Sequence, residues 1–168
     1  ETGDAAKALA RLSTQDTDMA IAALPDFLSK DFVFKALSET PLVFIAPLQY
    51  PEILIKKAGR IDWEQPPLII PDYGLSRDRI DQWLTKENFL PNIYSQVAGN
   101  EAIIVMVSLG CGIGLIPRMV LEKSPFFDRV RILDQTPEMP PFVIGLCTRK
   151  KNLANPRVKS LWSIANEK

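Results

Sequence analysis

Residues 100–118 restrict the fold more than any other part of this chain, because they combine an apolar helix pattern, a glycine turn and an apolar strand pattern. Asn100 is a residue type favoured at a helix N-cap, where its side-chain oxygen accepts hydrogen bonds from amides of the first turn. Residues 102–107 are apolar almost without interruption. The predicted helix therefore has no clear polar face and should be covered on most sides.

The glycine turn and the strand follow directly. Gly110 stands where helices commonly end in a left-handed residue, a conformation that glycine adopts without steric cost. Residues 113–116 form a short apolar run, and Pro117 ends it because proline cannot donate to a continuing ladder. A helix, a tight turn and a strand buried on both faces predict an α/β fold with parallel strands.

The length and charge of the chain exclude several classes of protein. With 168 residues, of which 46% are apolar, the chain can form one domain or two small lobes around a hydrophobic core. Twenty basic and 20 acidic residues give a net charge of zero, which argues against nucleic-acid binding by this chain alone. The sequence contains no membrane-spanning apolar stretch and no secretory leader, so we expect a cytoplasmic protein without a membrane partner.

The available side chains argue against an enzyme. The chain has no histidine, which removes the usual general base and histidine-ligated metals. Cys111 and Cys147 lack metal-ligand spacing, and we expect buried free thiols rather than a disulfide or a redox pair. Gly110, Gly112 and Gly114 superficially resemble a dinucleotide-binding loop, but they follow a helix and precede a strand, the reverse of the required order. No catalytic residue, metal or cofactor is predicted.

The first part of the chain predicts a helix and a buried strand. Asp4 is a candidate N-cap for a helix over residues 5–12. Residues 19–24 form a continuous apolar run that Pro25 ends, which predicts a buried parallel strand.

Two further strand patterns, residues 32–37 and 42–46, are separated only by a short polar stretch and Pro41. We expect one long extended path here, as where a chain crosses from one lobe to another.

The middle of the chain contains alternating strand and helix patterns. Residues 68–70 predict a short buried strand, and Ser76 is the expected N-cap of the helix that follows. Residues 92–97 predict the next strand. At the C-terminus, Asn155 is the expected N-cap of a helix with Pro156 at its first position.

An open α/β sheet binds ligands beyond the carboxyl ends of its strands, where helices begin. Three such places can be located in this sequence: at Leu24 and Pro25, after residues 68–70, and at Gly99 and Asn100. The side chain of Asn100 could contact a ligand or only cap its helix, and both readings stay open.

The second place is the most informative, because the first turn of its helix carries basic residues where helix dipoles favour acidic ones. A small anion held by the free amides, the Ser76 hydroxyl and Arg77 would explain that choice. The alternative is an exposed ion pair between Arg77 and Asp81, four residues apart on one helix. Tyr73, beside Gly74, could line the same pocket or be only an aromatic residue of the turn.

Two passages resemble a known family. Gly3-Asp4, Leu9 and Leu12 followed by residues 18–21 (Asp-Met-Ala-Ile), and later residues 105–117, are similar to the passages "GD…L..L…DLAI" and "V..GLGIALLP" of LysR-type transcriptional regulators. The resemblance runs through the whole chain. It is closest to the branch of the family that activates isoleucine–valine biosynthesis, and three segments carry it: residues 77–80, 99–102 and 108–112.

That resemblance implies an effector-binding domain with a two-lobed α/β fold like that of type 2 periplasmic binding proteins. Residues 1–40 and 142–168 would form lobe one, and residues 41–141 lobe two. The implied effector is a small acetohydroxy acid, acetolactate or acetohydroxybutyrate. The implied regulator is a homo-oligomer, dimer or tetramer, which contacts operator DNA only through an N-terminal helix-turn-helix absent from this sequence.

One departure from the family pattern bears on binding. The family's effector domain begins with a strand–helix–strand unit of about thirty residues, and this sequence contains no counterpart. Lobe one is therefore expected to lack its first strand–helix–strand unit and with it the central strand, so this chain should bind inducer weakly or not at all. The alternative reading is a stand-alone periplasmic-type solute-binding protein for a small carboxylate.

Overall fold

The computed structural model describes residues 5–57 and 59–165. The candidate N-cap Asp4 and the Gly3-Asp4 part of the family passage lie outside these residues. The chain divides into two compact units, Glu1–Thr40 with Phe142–Lys168 and Pro41–Pro141. These ranges coincide with those given above for the two lobes.

The described residues form an α/β arrangement of short strands and five α-helices. The helices are α1 (Ala5–Thr14), α2 (Leu75–Glu87), α3 (Asn100–Ser108), α4 (Arg118–Leu121) and α5 (Pro156–Ile164). The strands are β1 (Met19–Ala23), β2 (Phe32–Thr40), β3 (Leu42–Pro47), β4 (Lys56–Lys57), β5 (Arg60–Ile61), β6 (Leu68–Pro71), β7 (Ile93–Val97), β8 (Ile113–Pro117), β9 (Val130–Ile132) and β10 (Phe142–Arg149).

The second unit is built on a five-stranded mixed sheet in the order β7-β6-β8-β3-β9. Strand β6 runs parallel to β7 and β8, whereas β3 runs antiparallel to β8 and β9. Strands β6 and β8 are buried along their whole length, as expected for strands covered on both faces. The predicted helix, turn and buried strand of residues 100–118 are confirmed.

Helix α3 supplies three of the eight buried residues in the second unit's core cluster. Ile103, Ile104 and Val107 are inaccessible to solvent and pack with Ile45, Ile69 and Ile116 from the sheet. Gly114 in β8 permits this close packing, because an added Cβ would collide with the Ile103 and Val107 side chains. Gly110, with a φ of +83°, ends the helix as predicted. The glycines that superficially resembled a nucleotide loop are therefore used for packing and for the turn.

The first unit contains a three-stranded antiparallel sheet in the order β1-β10-β2. The prediction of a buried parallel strand over residues 19–24 is wrong for the described residues. Strand β1 pairs antiparallel with β10, and Ile21 is 67% exposed. An apolar run alone does not specify the direction of the partner strand, nor whether a second layer covers the outer face.

Two predicted helix caps are also wrong. The N-cap residues of α2 and α3 are Gly74 and Gly99, so Ser76 and Asn100 lie inside their helices, and neither helix start has a side-chain cap. The φ angles are +89° at Gly74 and +87° at Gly99. The chain therefore turns from strand to helix at a backbone conformation that glycine accepts most readily. The predicted cap at Asn155 is confirmed, because its Oδ1 accepts from the Arg157 amide at 3.0 Å.

The packing of α3 predicts a large effect for one core substitution. Ile104→Ala should lower the free energy of unfolding by about 2–5 kcal/mol, because it leaves a cavity where Ile104 is fully buried. Urea unfolding followed by tryptophan fluorescence measures this, since Trp63 and Trp83 lie in the same unit. The matched control is Leu109→Ala at the end of α3, where the side chain is 62% exposed. Equal losses for both variants would contradict the described core.

Candidate functional site

The ends of two parallel strands bring most of the predicted site residues together. Pro71 at the end of β6 pairs with Val97 at the end of β7, and the Asp72 amide donates to the Val97 carbonyl at 3.1 Å. The loop before α2 and the loop before α3 therefore lie side by side at one edge of the sheet. We call this place the helix-start edge; it contains Tyr73, Gly74, Ser76, Arg77, Gly99 and Asn100.

The start of α2 has the features of an anion site. The first intrahelical hydrogen bond runs from the Asp78 amide to the Gly74 carbonyl at 3.0 Å. The amides of residues 75–77 therefore have no acceptor within the helix. A Cβ added to Gly74 would meet nothing within 4 Å, which leaves open space beside the backbone. The helix dipole favours negative charge at this position.

Arg77 is held by three groups around the helix start. Its Nε donates to both carboxylate oxygens of Asp81 at 2.9 Å. Its Nη1 donates to the Gln96 side chain at 2.8 Å and to the Pro71 carbonyl at 3.3 Å. The ion pair with Asp81, considered above as the alternative to an anion site, is therefore formed. Arg77 also connects the first turn of α2 to the ends of β6 and β7.

The other residues near this helix start differ in exposure. Ser76 is partly buried in the first turn of α2, so a hydroxyl belongs to the same turn as the free amides. Tyr73 is 58% exposed. It therefore lies at the border of the helix-start edge rather than inside a closed pocket.

The start of α3 is less favourable for an anion. A Cβ added to Gly99 would lie 3.6 Å from the Glu101 Oε2 atom, so a carboxylate already stands near this helix start. An acidic residue in the first turn is favoured by the helix dipole and repels a second negative charge. Asn100 is partly buried at the first position of the helix.

Leu24 and Pro25, the remaining predicted site residues, belong to the first unit. Leu24 directly follows β1, and its amide donates to the Val143 carbonyl at 2.8 Å. Both residues are partly buried. The helix-start edge is therefore assembled from six of the eight predicted residues, all in the second unit.

The sequence analysis missed Gln96 and Arg118. Gln96 orients Arg77, and only its position next to the end of β7 could have suggested that role. Arg118 begins α4 directly after β8, and its amide donates to the Pro41 carbonyl at 2.9 Å. Because β8 is parallel to β6, Arg118 lies at the same end of the sheet as the start of α2. Its Nε pairs with Glu122 at 2.9 Å.

Neither a metal cluster nor a membrane helix is found in the described part of the chain. Residues 5–57 and 59–165 contain no group of three or more histidine, cysteine, aspartate or glutamate residues able to hold a metal ion. No helix in the same residues is long and apolar enough to cross a bilayer.

Both cysteines are free thiols. Cys147 is inaccessible to solvent in β10, and burial raises the pKa of its thiol. Cys111, in the turn after α3, is partly exposed. Because the thiolate is the reactive form, the two thiols should differ in reactivity.

A labelling experiment should separate the two thiols. At pH 8, iodoacetamide should modify Cys111 in the folded chain, while Cys147 stays unmodified because it is both buried and protonated. Mass spectrometry of the digested protein measures the two sites, and labelling in urea is the control in which both react. Because burial raises the pKa of the Cys147 thiol, its contribution to the stability of the folded state is complete only below the ordinary thiol pKa, so protection of Cys147 should weaken as the pH rises from there through the raised pKa. Rapid labelling of Cys147 at pH 8 in the folded chain would refute this assignment.

Comparison with known proteins adds family information to this geometry. Residues 1–168 match the family described as "LysR substrate binding domain". The chain is 40% identical over 167 residues to the HTH-type transcriptional activator IlvY of Salmonella typhimurium, covering 97% of this chain and 57% of that protein. It is also 40% identical over 167 residues to the HTH-type transcriptional regulator IlvY of Escherichia coli, covering 56% of that protein. The chain thus spans little more than half the length of these relatives.

A solved structure extends the comparison to the fold. The effector-binding domain of QuiR in complex with shikimate superimposes with a TM-score of 0.76 at 21% identity, covering 97% of this chain and 77% of that one. At this identity the likeness concerns the fold alone. The described α/β arrangement with mixed sheets is that of LysR effector-binding domains, which have a type 2 periplasmic-binding-protein-like fold.

Proposed function

This chain belongs to the LysR substrate-binding domain family, and we propose that it is the effector-sensing domain of a transcriptional activator of the IlvY type. The 40% identity over 97% of the chain is the observation that carries this proposal. The relatives it matches are named transcriptional activators and regulators rather than enzymes. The two compact units would be the two lobes of the effector domain.

We propose a small acetohydroxy acid, acetolactate or acetohydroxybutyrate, as the effector. The IlvY name of the relatives refers to isoleucine–valine biosynthesis, which supports an effector of this class. A short carboxylate also fits the helix-start edge, where the first turn of α2 offers free amides and a hydroxyl, and the space beside Gly74 is open. An uncharged ligand would interact only weakly with the dipole of α2.

In this proposal the carboxylate accepts hydrogen bonds from the amides of residues 75–77 and from the Ser76 hydroxyl. Arg77 adds positive charge at the same place, while Asp81 and Gln96 fix the orientation of its guanidinium. The ion pair with Asp81 opposes anion binding in part, because the ligand and Asp81 compete for one positive charge. Arg77 would therefore act mainly by positioning the helix start and raising its potential, with the amides as the direct donors.

The regulator carrying this domain is proposed to be a cytoplasmic homo-oligomer that contacts operator DNA through a separate helix-turn-helix. Effector binding would shift an equilibrium between oligomer arrangements that bend the operator differently, since a ligand can bias only states that it binds unequally. Branched-chain amino acid biosynthesis would be the regulated process.

Replacing Arg77 tests the proposed effector site. In the intact regulator, Arg77→Ala should abolish induction by acetolactate while leaving operator binding unchanged, because it removes the charge and the contacts to Gln96 and Pro71. Reporter expression measures induction, and a gel-shift assay measures operator binding. Lys86→Ala, in the last turn of the same helix, is the matched control and should remain inducible.

Unchanged inducibility of Arg77→Ala would exclude the helix-start edge as the effector site. Loss of operator binding in the same variant would also contradict the proposal, because the substitution would then act on the folding or assembly of the regulator.

A further inference from the structure

A cavity lies in the second unit, away from the helix-start edge. Its volume is about 650 Å³, which is within the usual range for sites that bind small molecules, roughly 300–1,000 Å³. Trp83 and Glu87, near the C-terminal end of α2, line it. Since α2 rises about 1.5 Å per residue, most of the helix separates this cavity from Gly74.

Part of the cavity lining is aromatic. Trp63, Trp83 and Phe89 line it, and the Trp63 and Trp83 rings meet edge to face with centroids 5.2 Å apart. Phe89 contacts Trp83 at the same centroid distance, and Phe44 contacts both indoles, with centroids 4.6 Å from Trp63 and 5.4 Å from Trp83. Such interlocked rings give a rigid apolar surface on which a flat or bulky side chain can pack.

One polar atom of this aromatic cluster lacks a partner. The Nε1 atom of Trp83 is buried and has no hydrogen-bond acceptor among the described residues. Buried indole N–H groups usually find an acceptor, because leaving one unpaired costs free energy. Trp83 also lines the cavity, so a ligand oxygen that reaches its indole N–H would remove this cost.

Charged side chains of both signs line the rest of the cavity. Lys57 and Arg60 face each other across the β4–β5 hairpin, an arrangement of like charges that is unfavourable unless an anion lies nearby. Asp62, Glu64 and Glu87 provide negative charge on the same cavity. No ion pair connects any of these five side chains to another charged group in residues 5–57 and 59–165.

We propose that this cavity binds a zwitterionic α-amino acid with an aromatic or large apolar side chain. The side chain would pack on Trp63 and Trp83, the carboxylate would meet Lys57 and Arg60, and the ammonium group would meet the acidic side chains. An ammonium group near the indole faces also gains cation–π attraction. A simple carboxylate would leave the acidic side chains unpaired, and a simple amine would leave the basic hairpin unpaired.

Three matched probes test the class of ligand. L-Phenylalanine has both charges, 3-phenylpropanoate lacks the ammonium group, and 2-phenylethylamine lacks the carboxylate. L-Phenylalanine should shift the indole N–H NMR signals of Trp63 and Trp83 saturably and leave that of Trp162 unchanged, because Trp162 belongs to the first unit. Each analogue that lacks a charge should bind at least about tenfold more weakly, because one charge-assisted contact is lost.

Neighbouring lysines provide a matched pair of variants. Lys57→Gln should weaken L-phenylalanine binding about tenfold, whereas Lys56→Gln should not, because Lys56 is the adjacent residue of the same strand and does not line the cavity. Both lysine positions are exposed, so folding is preserved in each variant.

Three results would overturn the proposal: no saturable shift of the Trp63 and Trp83 signals, equal affinity for all three probes, or equal effects of the two lysine variants. Equal affinity for the probes would show that the aromatic surface binds apolar groups without recognising a zwitterion. None of these results bears on induction by acetolactate, so failure of this proposal would leave the proposed function untouched.

Discussion

The close packing of α3 on the sheet is the constraint on which the second unit depends. Gly114 lets Ile103 and Val107 approach β8 more closely than any side chain would allow, and the same helix buries Ile104 against the core. Because α3 is fixed in this way, the loop that precedes it is held beside the loop before α2. The helix-start edge is a consequence of this packing, since two parallel strands end side by side and a helix begins after each one.

The fold could be predicted from the sequence where one local pattern had a single structural solution. Residues 100–118 specified a helix, a turn and a buried strand without long-range information, and Asn155-Pro156 specified the start of α5. The strand–helix transitions at Gly74 and Gly99 were misplaced because Ser76 and Asn100 are good caps by residue type. Both helices begin one or two residues earlier, where glycine accommodates a positive φ that residue preferences alone do not reveal.

Long-range pairing set the other limit on prediction. The apolar run of residues 19–24 indicated a strand, but its antiparallel pairing with β10 joins residues more than 120 positions apart. The partner of Arg77 on its own helix could be foreseen from the i,i+4 spacing, whereas its contact with Gln96 could not. The aromatic cavity could not be predicted from the sequence either, because Trp63, Trp83 and Phe89 come from separate loops and a helix.

The central claim is that a carboxylate effector binds at the start of α2. Amide hydrogen exchange of the intact regulator, measured with and without acetolactate, tests it most directly, because the amides proposed as donors have no partner within the helix. The account predicts slower exchange at residues 75–77 when acetolactate is bound. Saturable binding of acetolactate with unchanged exchange at these amides would contradict it.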